Sequence, residues 1–271
     1  MHKLRRARVH LNAFHQSADR VRKAEPYDLI RHERDESRIK WAWTWDVERT
    51  RPFPFYWPIL IGEVLYQIHS ALDHLAWQLA FVKSAPHDPE RVTFPIYTSE
   101  SDFWKPGDRE QFRRGSGGWR LARIPDEAHQ MIVDVQPYKC GNRAPKHPLA
   151  LLFALSNEDK HKSLHIAWTA VTRQRLEQSA IHNVRVESFT IDRRDPFETR
   201  LNDFASLRAT VTGPNPHLDV EPGFMFEEVF GEGSPDNAVG ELVFESLKVI
   251  FNYVLDEVFT RRFVPYFDSL N

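Results

Sequence analysis

The stretch from Pro58 to Lys83, PILIGEVLYQIHSALDHLAWQLAFVK, constrains the fold more than any other part of the chain. On a helical wheel Ile61, Val64, Ile68, Leu72, Leu75, Leu79 and Val82 form one wide apolar face. The opposite side carries Glu63, Tyr66, Ser70, Asp73, His74 and Trp77 instead of a run of solvating charge. A helix that is apolar or aromatic nearly all round is a buried one. Its ionisable groups then need partners, because a buried polar group without one costs about 2–7 kcal/mol. The reading is a central buried helix with an internal polar cluster at His69, Asp73 and His74.

The flanking sequence places other elements around it. Leu4, Ala7, Leu11, Phe14, Ala18 and Val21 recur at helical spacing, which predicts an amphipathic helix over 4–23 that Pro26 ends. Residues 39–47 alternate strictly through Trp41, Trp43 and Trp45, the pattern of a strand with one aromatic face. Beyond Lys83 the chain is rich in Pro and Gly. It includes Phe94-Pro95-Ile96, a Gly115-Ser-Gly-Gly118 hinge, a short helix from Asp126 to about Val135, and Gln136-Pro137-Tyr138 closing that helix. The basic side chains Arg113, Arg114, Arg120 and Arg123 around the hinge read either as a mobile surface loop or as an anion-binding loop. A further helix runs from Pro148 into Asn157-Glu-Asp-Lys-His161, apolar all round in its first two turns. Alternation resumes at Leu164, with further strands expected at 181–191, 207–212 and 223–230. Pro235-Asp236 opens a last long helix carrying Val239, Leu242, Val243, Ser246, Ile250, Val254 and Val258, with Pro265 just past its end.

These elements predict an α+β fold: a helical bundle with an inserted, mostly antiparallel β-sheet before a long C-terminal helix. The expected organisation is a single domain over 1–271. Its helical core covers about 4–23, 58–83, 126–162 and 236–263, and its sheet segment about 39–47 and 164–230.

Composition narrows the function classes. The formal net charge is −2, so no global field recruits nucleic acid or a membrane surface, although residues 1–24 are basic and 215–257 acidic. Cys140 is the only cysteine, which excludes an intramolecular disulfide and a thiolate metal cage. With no apolar leader pattern and no long apolar window, a cytoplasmic protein without a membrane partner is the expectation. Aromatic residues make up 13% of the chain, which points to rigid packing layers or a stacking surface.

Two polar motifs lie on otherwise apolar helices, His69-Ser-Ala-Leu-Asp73-His74 and Asn157-Glu-Asp-Lys-His161. If the helices pack side by side, imidazoles, carboxylate and amide converge. His69 and Asp73, like Asn157 and His161, stand four apart, a spacing that can bring two ligands to one metal. The same groups can do metal-free acid–base chemistry, because histidine titrates near neutrality and a carboxylate can orient it. They can equally hydrogen-bond one another and fix helix register. No dinucleotide, phosphate-loop, nucleophile-elbow or zinc-protease motif is present.

The run Gly62 to Trp77, together with Phe94-Pro-Ile96, Gln136-Pro-Tyr138, Asn157-x-Asp-Lys-His161 and a Phe-Gly-Glu-Gly turn at 230–233, resembles a widespread group of bacterial proteins. Members of that group carry Asn-Leu-Arg-Ser-Ala-Leu-Asp-His in the central helix. Arg followed by His there is similar to the signature of HEPN ribonucleases, helical proteins that cleave RNA without metal. Here His74 matches the His, and His69 stands where the Arg would be. The resemblance implies a protein that acts on or binds RNA or nucleotides. His74 would be the base, His69 a phosphate-facing donor, and Asp73, Asn157 and His161 orienting groups, with no cofactor and no metal. A homodimer is left open. The alternatives are a non-catalytic interaction or regulatory protein in which the cluster is structural, and a metal-dependent hydrolase.

Overall fold

A computed structural model describes residues 1–24, 27–37, 40–49, 52–83, 92–107, 111–162, 166–175, 185–193, 205–212, 223–231 and 233–270. For most of the strand residues this description covers the backbone alone. The chain divides into two units, one built from Met1–His15, Tyr56–His165 and Gly233–Asn271, the other from Gln16–Phe55 and Ile166–Glu232.

The first unit is helical because its apolar residues repeat at helical spacing and have one another to pack on. Helix α1 (His2–Lys23) buries Leu4, Ala7, Leu11 and Phe14, and the Phe14 ring meets Trp57 edge-on with centroids 5.4 Å apart. Helix α2 (Trp57–Lys83) buries Ile61, Val64, Ile68, Leu72, Leu75 and Leu79. Its opposite face is open, since Ile59, Tyr66 and Phe81 are exposed, and the apolar face itself ends in exposed Val82. The expectation of burial nearly all round is thereby corrected: neighbours cover one side of α2 only. Short helices α3 (Glu100–Phe103), α4 (Gly117–Leu121) and α5 (Asp126–Asp134) follow. A 3₁₀ segment (Pro137–Lys146) then leads into α6 (Pro148–His161), which packs on α2.

The last helix begins later and ends later than its sequence pattern predicts. Residues 236–240 form turns, with Gly240 at a φ of 78° that a helix does not admit. Helix α7 (Val243–Asn252) continues through a π-helical stretch (Tyr253–Phe263) into α8 (Val264–Asp268). Pro265 falls in the first turn of α8, where its missing N–H costs little.

The Gly115–Gly118 segment also departs from the expected hinge. Ser116 caps α4 by accepting from the Trp119 N–H, and Gly117 and Gly118 are buried. A Cβ on Gly117 would lie 2.3 Å from the Phe103 ring, and one on Gly118 would lie 2.8 Å from the Phe112 ring. Gly117 and Gly118 serve close packing, whereas Gly115, at a φ of 85° with open space around it, serves the turn.

In the second unit, backbone pairing joins β1 (Tyr27–Ser37), β2 (Lys40–Arg49), β4 (Arg185–Arg193) and β5 (Ala205–Thr212) in the order β1-β2-β5-β4. Separately, β3 (Ile166–Arg175) pairs with β6 (Gly223–Phe230). Arg22 donates to the buried carboxylate of Glu228 at 2.7 Å and also bonds Asp19. Pro26, Ile39, Leu164, residues 181–184 and Glu232 lie outside the described residues, as do the side chains of Trp41, Trp43 and Trp45.

The expected α+β class, a bundle with one inserted antiparallel sheet, is overturned. Among residues described down to their side chains, 70% are helical, with one short strand and no sheet. The physical reason lies in the core. Among the described side chains, the buried apolar ones come from helices and the segments between them, apart from Val229 and Phe230. The described protein is mostly helical.

Candidate functional site

The site lies in the first unit, and its geometry starts from helical spacing. His69 and Asp73 are one turn apart on α2, and Phe153, Asn157 and Lys160 share a face of α6. All five line one cavity of about 720 Å³, with the Thr93–Ser99 segment, Asp102 of α3, Arg120 of α4, and Asp236 and Asn237. That volume is in the range of small-molecule sites, roughly 300–1,000 Å³.

The helices come close because Gly62 permits it. A Cβ at Gly62 would sit 2.6 Å from the Asp159 Oδ2, so the carboxylate of α6 rests on bare α2 backbone. Burial there, reinforced by the nearby Glu63 carboxylate, pushes the Asp159 pKa up.

One cavity wall is the run Phe94–Tyr97, which pairs with no strand among the described residues. Its backbone polar groups still need partners, and side chains supply them. The Phe94 N–H donates to Asp73 Oδ1 at 3.0 Å, and the Tyr97 N–H to Gln136 Oε1 at 3.1 Å. Gln136 Nε2 donates to the Pro95 carbonyl at 2.8 Å and the Ile132 carbonyl at 3.1 Å. The Tyr138 N–H completes the clamp by donating to the Tyr97 carbonyl at 3.2 Å. Asp73 is therefore anchored to the wall, and Gln136, only 1% exposed, is a clamp for it. Behind the wall the Phe103 ring is fully buried among Tyr97, Trp104 and Tyr138, with centroids 4.7–5.5 Å away. This is a packing layer of the kind the aromatic content predicts.

His69 faces a different environment. Its ring meets Phe153 edge-on at 6.5 Å. Burial lowers its pKa below the usual histidine value; Asp73 opposes that shift and Lys160 adds to it. The imidazole at rest is accordingly weighted to the neutral form. Arg120 donates through Nε to the Gly115 carbonyl at 3.4 Å, which holds its guanidinium at the cavity.

The structure thus brings His69, Asp73 and Asn157 to one cavity. His74 and His161 are exposed and are not part of its lining. The geometry can bind a polar ligand with an aromatic part, since it offers the Phe153 ring, the cations Lys160 and Arg120 and the carboxylates Asp73, Asp102 and Asp236 beside neutral donors and acceptors. Sequence reading missed Gln136, Phe153 and Lys160 as site residues. Their signal was present: Phe153 and Lys160 flank Asn157 at helical spacing, and Gln136 heads a motif already noted.

Among the described residues no group of three or more His, Cys, Asp or Glu side chains is placed to hold a metal ion. Nor is any helix there long and apolar enough to cross a membrane. No protein-family model matches the chain, and neither does any curated protein or any solved structure, so the likeness to HEPN ribonucleases stands on its motifs alone.

Proposed function

We propose that this protein binds a nucleotide, or the end of an RNA strand, in the cavity between α2 and α6. The observation that carries the reading is the convergence of both polar motifs, through His69, Asp73 and Asn157, on one concave site that also holds Lys160, Arg120 and the half-exposed ring of Phe153. A base can stack on an exposed aromatic face for about 1–3 kcal/mol, an amide can read its edge, and cations suit a phosphate. Binding fits this geometry better than cleavage. An in-line attack on phosphate needs a base and a charged stabiliser at the same atoms, and His74, the base that the HEPN likeness implies, is exposed outside the cavity lining. Calorimetric titration with nucleoside monophosphates and short RNA tests the reading. Binding should weaken about tenfold or more in Phe153→Ala and Asn157→Ala, with cavity residues shifting in NMR spectra. Absence of binding at millimolar ligand would overturn it.

One observation favours a second reading, in which the cluster is structural. Asp73 already serves the Phe94 amide, so Asp73→Ala should lower the melting temperature whether or not a ligand exists.

A further inference from the structure

The cavity has an internal asymmetry that the binding proposal leaves unused. On the α2–α6 side three nitrogen-bearing groups, His69, Asn157 and Lys160, border the same space. Lys160 is exposed, and no carboxylate pairs with it within salt-bridge distance among the described residues, whereas nearby Lys162 pairs with Glu158. Asp73, the carboxylate nearest in sequence to His69, is held by the Phe94 N–H. The remaining charged lining groups are Asp102, which lies 3.8 Å from Lys105, then Asp236 and Arg120.

We propose that His69, Asn157 and Lys160 form an oxyanion subsite for a phosphate-class group, and that filling it draws a proton onto His69. This rests on the cavity being a ligand site and names which part of it takes the charge. The physical cause is electrostatic. The resting imidazole is disfavoured as a cation by burial first, with Lys160 adding to that effect against the pull of Asp73. A phosphate oxygen placed between the two would neutralise the Lys160 field and supply an acceptor for a second ring N–H. Neutral imidazole has one N–H to give, and imidazolium has two. Asp236 and Asp102 on the other lining elements would repel an anion placed near them, as would Asp73 on α2, which favours a place beside Lys160 on α6, away from these carboxylates.

The test is titration of the full chain with inorganic phosphate, adenosine and adenosine 5′-monophosphate. It is run in buffers of different ionisation enthalpy at about pH 6 and about pH 8, the two sides of histidine titration. The monophosphate should bind more tightly than adenosine, with fractional proton uptake and an affinity that falls several-fold toward the higher pH. His69→Gln should flatten that pH profile, and Lys160→Gln should cut phosphate affinity far more than adenosine affinity. Adenosine binding that equals monophosphate binding would overturn the subsite while leaving the cavity reading intact. So would a pH-independent affinity in the unaltered protein. Failure of all three probes to bind would overturn both.

Discussion

At His147 the two ring nitrogens have opposite duties. Nδ1 accepts from the Leu149 N–H and so caps α6, while Nε2 stands 3.1 Å from the Tyr253 hydroxyl. The cap fixes the tautomer: Nε2 carries the proton and donates to Tyr253. Burial brings the His147 pKa down to about 4 and carries the Tyr253 phenol up to about 12. The histidine shift gives a signed prediction. An unfolded chain takes up this proton near pH 6.5, whereas the folded one resists until about pH 4. The stability contribution is therefore whole above pH 6.5 and is lost as pH falls through that window, by an amount on the order of 1–3 kcal/mol. Denaturant melts across the window should show this slope, and His147→Leu should remove it while costing about 1 kcal/mol or more at neutral pH for the lost cap. Arg22 supports a second prediction at this scale. Its partner Glu228 is 2% exposed, so Arg22→Ala leaves a buried charge uncompensated and should cost about 3–5 kcal/mol in urea unfolding. Arg22→Met with Glu228→Leu should recover most of that loss, because an apolar pair needs no desolvation offset.

At the scale of elements, approach distance decides what the glycines do. Gly62 lets Asp159 rest on α2, and Gly117 lets α4 lie on the Phe103 ring. An added methyl at either place meets atoms at 2.6 Å and 2.3 Å. The two sites should respond differently. Asp159 is a flexible side chain that can swing away, so Gly62→Ala should cost less than about 1 kcal/mol in melts and show itself in the cavity through the α2–α6 distance. Phe103 is fully buried and ringed by aromatics, so Gly117→Ala should cost about 1–3 kcal/mol. Equal effects at the two positions would contradict this account. The Gly-rich run at 115–118 also shows where reading from residues stops. Glycine reports that something requires a missing side chain, but the requirement can be a hinge or a neighbour, and only the position of Phe103 distinguishes them. Similarly, Val239 and Leu242 carry the helical stripe backward from Val243, but Gly240 at positive φ ends it.

For the molecule as a whole, the separation into two units gives ligand binding a local signature. A nucleotide in the cavity should slow hydrogen exchange in α2, α6 and the Phe94–Tyr97 wall of the first unit, with protection rising by about 2.7 kcal/mol at a hundredfold excess over Kd. Exchange that slowed equally in the ladders of β1, β2, β4 and β5 would contradict a site confined to that unit. What the sequence by itself determined is the set of helical stripes. The stripes from Leu4 to Phe14 and from Ile61 to Leu79 are buried because a 3.6-residue repeat makes one face apolar, and burying that face is favourable with any partner of like pattern. Sequence also marked Asp73 and Asn157, polar groups on helices that carry such stripes, as groups in need of polar surroundings. Tertiary structure alone decided what they met. Which side of α2 is covered, and hence why His74 faces solvent, depends on where α6 and α7 lie. That placement rests on contacts between residues far apart in the chain, such as Gly62 with Asp159 and Asp73 with Phe94. Periodicity carries information along one element, whereas the cavity is a property of several elements at once. For that reason Gln136 and Lys160, though marked in the sequence by motif and by helical spacing, take their places at the wall and the lining only in three dimensions.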